Sequence, residues 1–234
     1  MNRRPTPPLP HGHLGRFFRW AVAFTLMAAI AAPSRVGAAT IVWRNTGTTF
    51  STGTNWVGNT APANNTTSDI GSFQAASVVA NPNLTASRSI AGLEFTSGTG
   101  AWVFTGSGTS TRVLTLGASG IVNNSSSTQT FTGLRLRISL GANSTFNGET
   151  GSLVFDATMA GLYLNSYNLI LTGSSTTNVI SEVMSGTGGS ITKTGSGTWT
   201  LSGANTYTGA TNIGTAGGAS GGTLAYGANN VLST

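Results

Sequence analysis

The stretch Ser190–Ile213, SITKTGSGTWTLSGANTYTGATNI, predicts the fold. Within it, Thr198–Ser202 alternates hydroxyl and apolar side chains, so Trp199 and Leu201 share one face, which is the period of a half-buried strand. Glycines stand at the corners, where tight turns need positive φ angles. The pattern predicts a hairpin-like unit of short strands. A unit this small cannot bury its apolar face alone, so we expect imperfect copies of it to stack on either side.

The same stretch resembles the autotransporter-associated β-strand repeat, a short module of bacterial surface proteins. Trp199 stands where that family usually has an aliphatic residue, and we expect an apolar position to tolerate it. The resemblance covers one copy, at residues 190–213, and implies a right-handed parallel β-helix exported to the cell surface, with no catalytic residues and no cofactor. The positions that agree are Lys193, Gly195, Gly197, Leu201, Ser202, Gly203, Asn205, Tyr207, Gly209 and Thr211.

Residues 1–39 are predicted to be a signal peptide. A basic leader precedes an apolar run of thirteen residues, Trp20–Ala32, and small residues before position 40 offer a cleavage site. A helix of that length spans about 20 Å, less than the ~30 Å hydrocarbon core, which favours a secretory signal over a membrane anchor. Arg3-Arg4 leaves a twin-arginine route as an alternative. We therefore expect the secretion machinery to be a partner, and the mature chain to have no transmembrane segment.

Most of the net charge belongs to this leader. The whole chain of 234 residues carries a formal charge of +6, but five of its eleven basic residues and none of its five acids lie in residues 1–39. The remaining chain is nearly neutral and shows no clustered basic face, so no nucleic-acid partner is expected. Arg135 and Arg137 lie two apart and are predicted to be charged residues on the solvent side of a strand, with a binding stripe as the alternative.

The chain after residue 39 is rich in Gly, Thr, Ser and Asn and poor in charge, which favours many short strands with polar turns. It has no cysteine, so no disulfide braces it despite the predicted export. From residue 89 to 234, leucines recur at 23 or 24 residues, apart from one irregular gap, which predicts an all-β solenoid of about eight coils stacked at ~4.8 Å. These leucines are Leu93, Leu116, Leu140, Leu164, Leu201 and Leu224.

Residues 40–88 are predicted to be an amino-terminal capping segment. Trp43, Phe50 and Trp56 lie among turn-forming polar residues there. Aromatic residues at the end of a stacked sheet commonly close the open end of its core, and terminal repeats are atypical for that reason. Stacking of these rings on a sugar is the alternative.

Candidate catalytic residues are few. Both histidines lie in the leader, so the rest of the chain has neither His nor Cys, which excludes His-assisted nucleophiles and the usual zinc sites there. Lys193 is predicted to flank a turn at the surface. Glu149 and Asp156 flank one strand and are the candidate carboxylates of a carbohydrate-active β-helix, with Arg135 or Arg137 nearby.

The sequence therefore predicts a non-enzymatic exported surface protein, without metal or cofactor. We expect a β-helical passenger, or the N-terminal fragment of one, whose stacked repeats support secretion and surface display or adhesion. A polysaccharide of the cell surface or matrix is the expected ligand, if there is one. The alternative is a carbohydrate-active or carbohydrate-binding β-helix protein.

Overall fold

The computed structural model describes residues 38–214, 221–229 and 232, so the predicted signal peptide lies almost wholly outside the described residues. Within them one 3-10 turn, Gly53–Asn55, is the helical element. No helix of the described part is long and apolar enough to cross a membrane. The strands there are β1 (Ala39–Val42), β2 (Asp69–Phe73), β3 (Asn83–Leu84), β4 (Arg88–Phe95), β5 (Val103–Gly106), β6 (Arg112–Asn123), β7 (Gln129–Phe131), β8 (Leu136–Leu140), β9 (Ser144–Gly148), β10 (Leu153–Phe155), β11 (Leu162–Tyr163), β12 (Asn168–Thr172), β13 (Asn178–Ile180), β14 (Met184–Ser185), β15 (Ser190–Lys193), β16 (Thr198–Leu201), β17 (Thr211–Ile213) and β18 (Thr223–Tyr226).

The strands form two parallel sheets, and the chain contributes strands to one sheet and then to the other in each coil. One follows the order β1-β2-β4-β6-β9-β12-β15-β17, with β8, β11 and β14 beside this path, and the other follows β18-β16-β13-β10-β7-β5-β3. Each strand pairs with the strand that the chain reaches one coil earlier or later. The predicted all-β parallel solenoid is therefore confirmed.

Within the described residues the solenoid has about six turns of about 24 residues, fewer than the eight expected. Coil length varies, because Ala39 pairs with Asp69 after thirty residues and Ile191 pairs with Thr211 after twenty. In the middle of the rod, Phe131 pairs with Phe155 after twenty-four.

The leucine repeat locates the coils but does not set their register. Leu116 pairs with Leu140, as their spacing predicts. Leu93, however, pairs with Ile121, and it is Trp199 that pairs with Leu224. All six leucines of the repeat are buried. A leucine fits any inward position of a coil. The recurrence of leucines therefore predicts which residues are buried, but it does not predict which residues pair.

Aromatic rings stack along the core because the register brings them above one another. Phe104 pairs with Phe131, and Phe131 pairs with Phe155 on the next coil. The ring centroids are 5.0 Å apart in the first pair and 4.9 Å apart in the second. All three side chains are fully buried. Stacked rings at this separation add to the apolar burial that stabilises each interface between coils.

The strands of the opening stretch do not form a hairpin. β15 pairs with β12 and β17 in one sheet, whereas β16 pairs with β13 and β18 in the other. The residues between them form a corner of the coil, at which Gly195 has φ +70°. The hairpin-like interpretation is wrong because the pairing partners come from neighbouring coils, about twenty or more residues away.

The amino-terminal aromatic residues form a buried cluster. Trp43 and Trp56 join in an antiparallel bridge with their rings edge to face at 4.9 Å, and Phe50 lies 5.0 Å from Trp56. None of the three is more than 3% exposed. Buried rings offer no face to a sugar, so the stacking alternative is wrong. β2 and β3 fall within residues 40–88, β1 begins one residue before them, and all three extend the two sheets, while the boundary at residue 89 stays a prediction.

Candidate functional site at the repeat

The apolar residues of the repeat point into the solenoid. Trp199 and Leu201 are fully buried on β16, while Thr198 and Thr200, which alternate with them, are only half-buried, which confirms the predicted alternation. Trp199 Nε1 donates to Thr172 O at 3.0 Å. The larger ring is accommodated because its one polar group finds a carbonyl of the preceding coil.

Lys193 is buried, and its predicted surface role is wrong. Its side chain has no exposed area, and it shares the inward face of β15 with Ile191. The ammonium Nζ donates to Thr194 O at 2.6 Å, to Gly195 O at 3.1 Å and to Gly221 O at 2.8 Å. Three acceptors match the three donors of an ammonium group, which makes its burial tolerable. Burial nevertheless lowers the pKa of Lys193.

The glycines of the repeat lie where one coil touches the next. A Cβ at Gly197, Gly203 or Gly209 would collide with a backbone carbonyl oxygen of the preceding coil. At Gly209, this close approach accompanies a hydrogen bond from its N–H to Gly189 O at 2.8 Å. These positions therefore require glycine for lack of space, whereas Gly195 requires it for its positive φ.

Two polar residues of the repeat fix the segment that follows β16, one to the coil before it and one within its own coil. Asn205 Oδ1 accepts from the Met184 N–H at 2.7 Å. Tyr207 is fully buried, and its hydroxyl shares a hydrogen bond with Thr211 Oγ1 at 2.6 Å. Burial raises the pKa of Tyr207. Both side chains satisfy backbone or hydroxyl groups that the interior would otherwise leave unpaired.

Most residues of the motif thus either contact a neighbouring coil or close a corner of their own coil. Residues 191–218 match the family model of the passenger-associated-transport-repeat. The match confirms the resemblance to an autotransporter-associated repeat protein. Neither the comparison with curated proteins nor that with solved structures found a match. The passenger-associated-transport-repeat and the parallel solenoid together indicate an autotransporter passenger-type protein.

Two buried amides outside the repeat, on either side of Leu153, also join neighbouring coils and were not predicted from the sequence. Gln129 and Asn178 open β7 and β13, and both are fully buried. Gln129 Oε1 accepts from the Trp102 N–H at 2.9 Å, and Asn178 Oδ1 accepts from the Leu153 N–H at 2.9 Å. Asn178 Nδ2 also donates to two carbonyls, at 3.0 and 3.2 Å. The sequence feature that could have predicted these contacts is an amide side chain at the first position of an apolar strand.

The two candidate carboxylates are occupied by separate local contacts. Glu149 Oε1 accepts from Asn147 Nδ2 at 3.0 Å. Asp156 Oδ1 accepts from the Thr158 N–H at 2.8 Å, and hydrogen bonds from Thr158 lower the pKa of Asp156. Arg137 Nε donates to Ala160 O at 3.2 Å. In the described part of the chain, no three His, Asp or Glu side chains gather as metal ligands.

Glu182 is a buried acid whose position was not predicted from the sequence. It is 8% exposed, its Oε1 accepts from the Val183 N–H at 3.0 Å, and its Oε2 has no hydrogen-bond partner. Burial raises the pKa of Glu182, and the charge of Asp156 raises it further. The arrangement makes the stability of this corner sensitive to pH.

Proposed function

We propose that the chain is a β-helical passenger, or part of one, whose stacked repeats support secretion and display it at the cell surface. The main support for this proposal is that the residues of the repeat form hydrogen bonds to the coils directly before and after their own. Asn205 and Gly209 bond to the coil before them, and Lys193 bonds to the coil after. Each coil therefore needs only its neighbours in order to fold, as in other quasi-one-dimensional proteins.

Folding of this kind suits a chain that crosses a membrane end first. Each coil that emerges adds to a rod already present, and the free energy of its burial opposes backward sliding. The chain has no cysteine, so no disulfide closes a loop before the crossing. The proposed passenger role is thus a structural one, which depends on the burial of apolar residues inside the rod.

Expression of the full chain in a Gram-negative host, followed by fractionation, tests the export. We expect the protein outside the inner membrane, shortened by cleavage close to residue 39. Retention in the cytosol with an uncut leader would contradict the proposal.

A pair of neighbouring variants tests whether coil folding supports secretion. Gly203→Val brings a side chain against Glu182 O, whereas Ala204→Val introduces the same valine side chain at an exposed position. We expect Gly203→Val to lower both the unfolding midpoint and the exported, protease-resistant amount, and Ala204→Val to change neither. A Gly203→Val protein that is destabilised in solution but exported normally would show that folding of the coils does not assist secretion.

A further inference from the structure

The solenoid brings together arginines that are distant in the sequence. Arg112 of β6 pairs in register with Leu136 of β8, so its backbone lies beside the segment of the adjoining coil that carries Arg135 and Arg137. The Arg112 N–H donates to Arg135 O at 2.6 Å. Arg135 is exposed, and the other two arginines are half-buried. Three of the six basic residues that follow position 39 thus lie in one outer corner, although the chain as a whole shows no basic run.

No carboxylate neutralises this corner. Arg112 Nε donates to Ser107 O at 2.8 Å, and Arg137 Nε donates to Ala160 O at 3.2 Å, so both recorded partners are neutral carbonyls. Among the described residues, none of the three guanidinium groups has an ion-pair partner. A guanidinium carries five N–H donors, so most remain available. A ligand of opposite charge can therefore pair with these donors.

Tyr163 orients one of these arginines. It lies on β11, whose register places it beside Ser139 of β8, and its ring is half-buried. The guanidinium carbon of Arg137 lies 4.4 Å from the ring centroid. A guanidinium held against an aromatic face loses less freedom when it binds a carboxylate, which favours affinity.

We propose that the corner formed by Arg112, Arg135, Arg137 and Tyr163 binds an acidic polysaccharide. Guanidinium groups pair in bidentate fashion with the carboxylates of such a chain. Because Arg112 lies one coil before Arg135 and Arg137, a polymer lying along the rod can contact arginines of both coils. Duplex nucleic acid is less favoured, since its affinity depends on many phosphate contacts. This binding activity goes beyond the passenger role and does not depend on it.

Binding of the purified full chain to immobilised polygalacturonate tests the proposal. We expect binding that weakens with added salt, and no binding to neutral dextran. The double variant Arg135→Gln/Arg137→Gln should lose at least about tenfold in affinity, since two charge-assisted hydrogen-bonding groups are removed. Arg44→Gln is the matched control, because Arg44 is exposed and lies outside this corner. Its affinity should equal that of the unaltered protein.

Three results would overturn the proposal: absence of binding to polygalacturonate, an equal loss in Arg44→Gln, or equally tight capture of double-stranded DNA through the same arginines. Unfolding midpoints show whether the double variant is folded. If it is not, the single Arg135→Gln change at the exposed position replaces it, with an expected loss of several-fold. Secretion is measured separately, so failure of this binding leaves the export result intact.

Discussion

Lys193 Nζ donates a hydrogen bond of 2.8 Å to Gly221 O, which joins two positions 28 residues apart in the chain. The lysine belongs to β15, and the carbonyl belongs to the segment that leads into β18 on a later coil. A charged side chain inside the rod thereby fastens one coil to the next. Its two other acceptors, Thr194 O and Gly195 O, close the corner of its own coil.

Lys193→Met should lower the free energy of unfolding by about 1–3 kcal/mol, because three carbonyls lose their donor while the apolar stem is retained. Urea unfolding followed by circular dichroism measures this change. Ser196→Ala, at an exposed position of the same corner, is the control and should have no effect. A Lys193→Met protein as stable as the parent would show that the three bonds contribute nothing net.

Glu182 should make the protein less stable as the pH rises above the ordinary pKa of a glutamate. Its pKa is raised from 4.5 by burial, so between that value and the raised one the folded state binds more protons than the unfolded state. Stability therefore falls as the pH rises through this window. Glu182→Gln removes the titrating group and should remove the fall.

Thermal midpoints of both proteins from about pH 4.5 to 7 measure the difference. Titration of Asp156 does not affect the midpoints in this range. Its pKa is lowered from 3.8, so its contribution to stability is lost only at more acid pH. The same slope in the parent and in Glu182→Gln would mean that another group titrates.

Trp199→Leu introduces the aliphatic side chain usual at this position of the repeat, yet it should destabilise this protein by about 2–4 kcal/mol. The change leaves a cavity and removes the Nε1 donor from Thr172 O. Thr200→Ala, on the outer face of the same strand, should cost much less. Equal midpoints for Trp199→Leu and the parent in urea would mean that the neighbouring coils collapse around the smaller residue.

Asn178→Ala should cost about 2–3 kcal/mol, because one backbone N–H and two carbonyls lose their partner in the interior. Asn212→Ala removes the same amide from an exposed position of β17 and serves as the control. Urea midpoints of the two variants give the comparison. A smaller loss for Asn178→Ala than for Asn212→Ala would contradict a role of the buried amides in joining the coils.

Much of the strand pattern followed from the sequence. The alternation of Trp199 and Leu201 with threonines predicted the inward face of β16, and the match to residues 191–218 agrees with the motif found there. The aromatic residues ahead of the repeats were expected to close the core, and Trp43 and Trp56 are buried together. Such features depend on residues near in the chain, so a linear pattern reveals them.

The sequence by itself determined that this chain forms short strands, turns at glycines and coils of roughly two dozen residues, since alternation and turn chemistry act over a few neighbouring residues. Only the tertiary structure decided that Trp199 pairs with Leu224, that Lys193 is buried and that Arg112 joins Arg135. The reason is that stacking joins residues one coil apart. The partner at that distance depends on the length of each coil, which here varies between twenty and thirty residues.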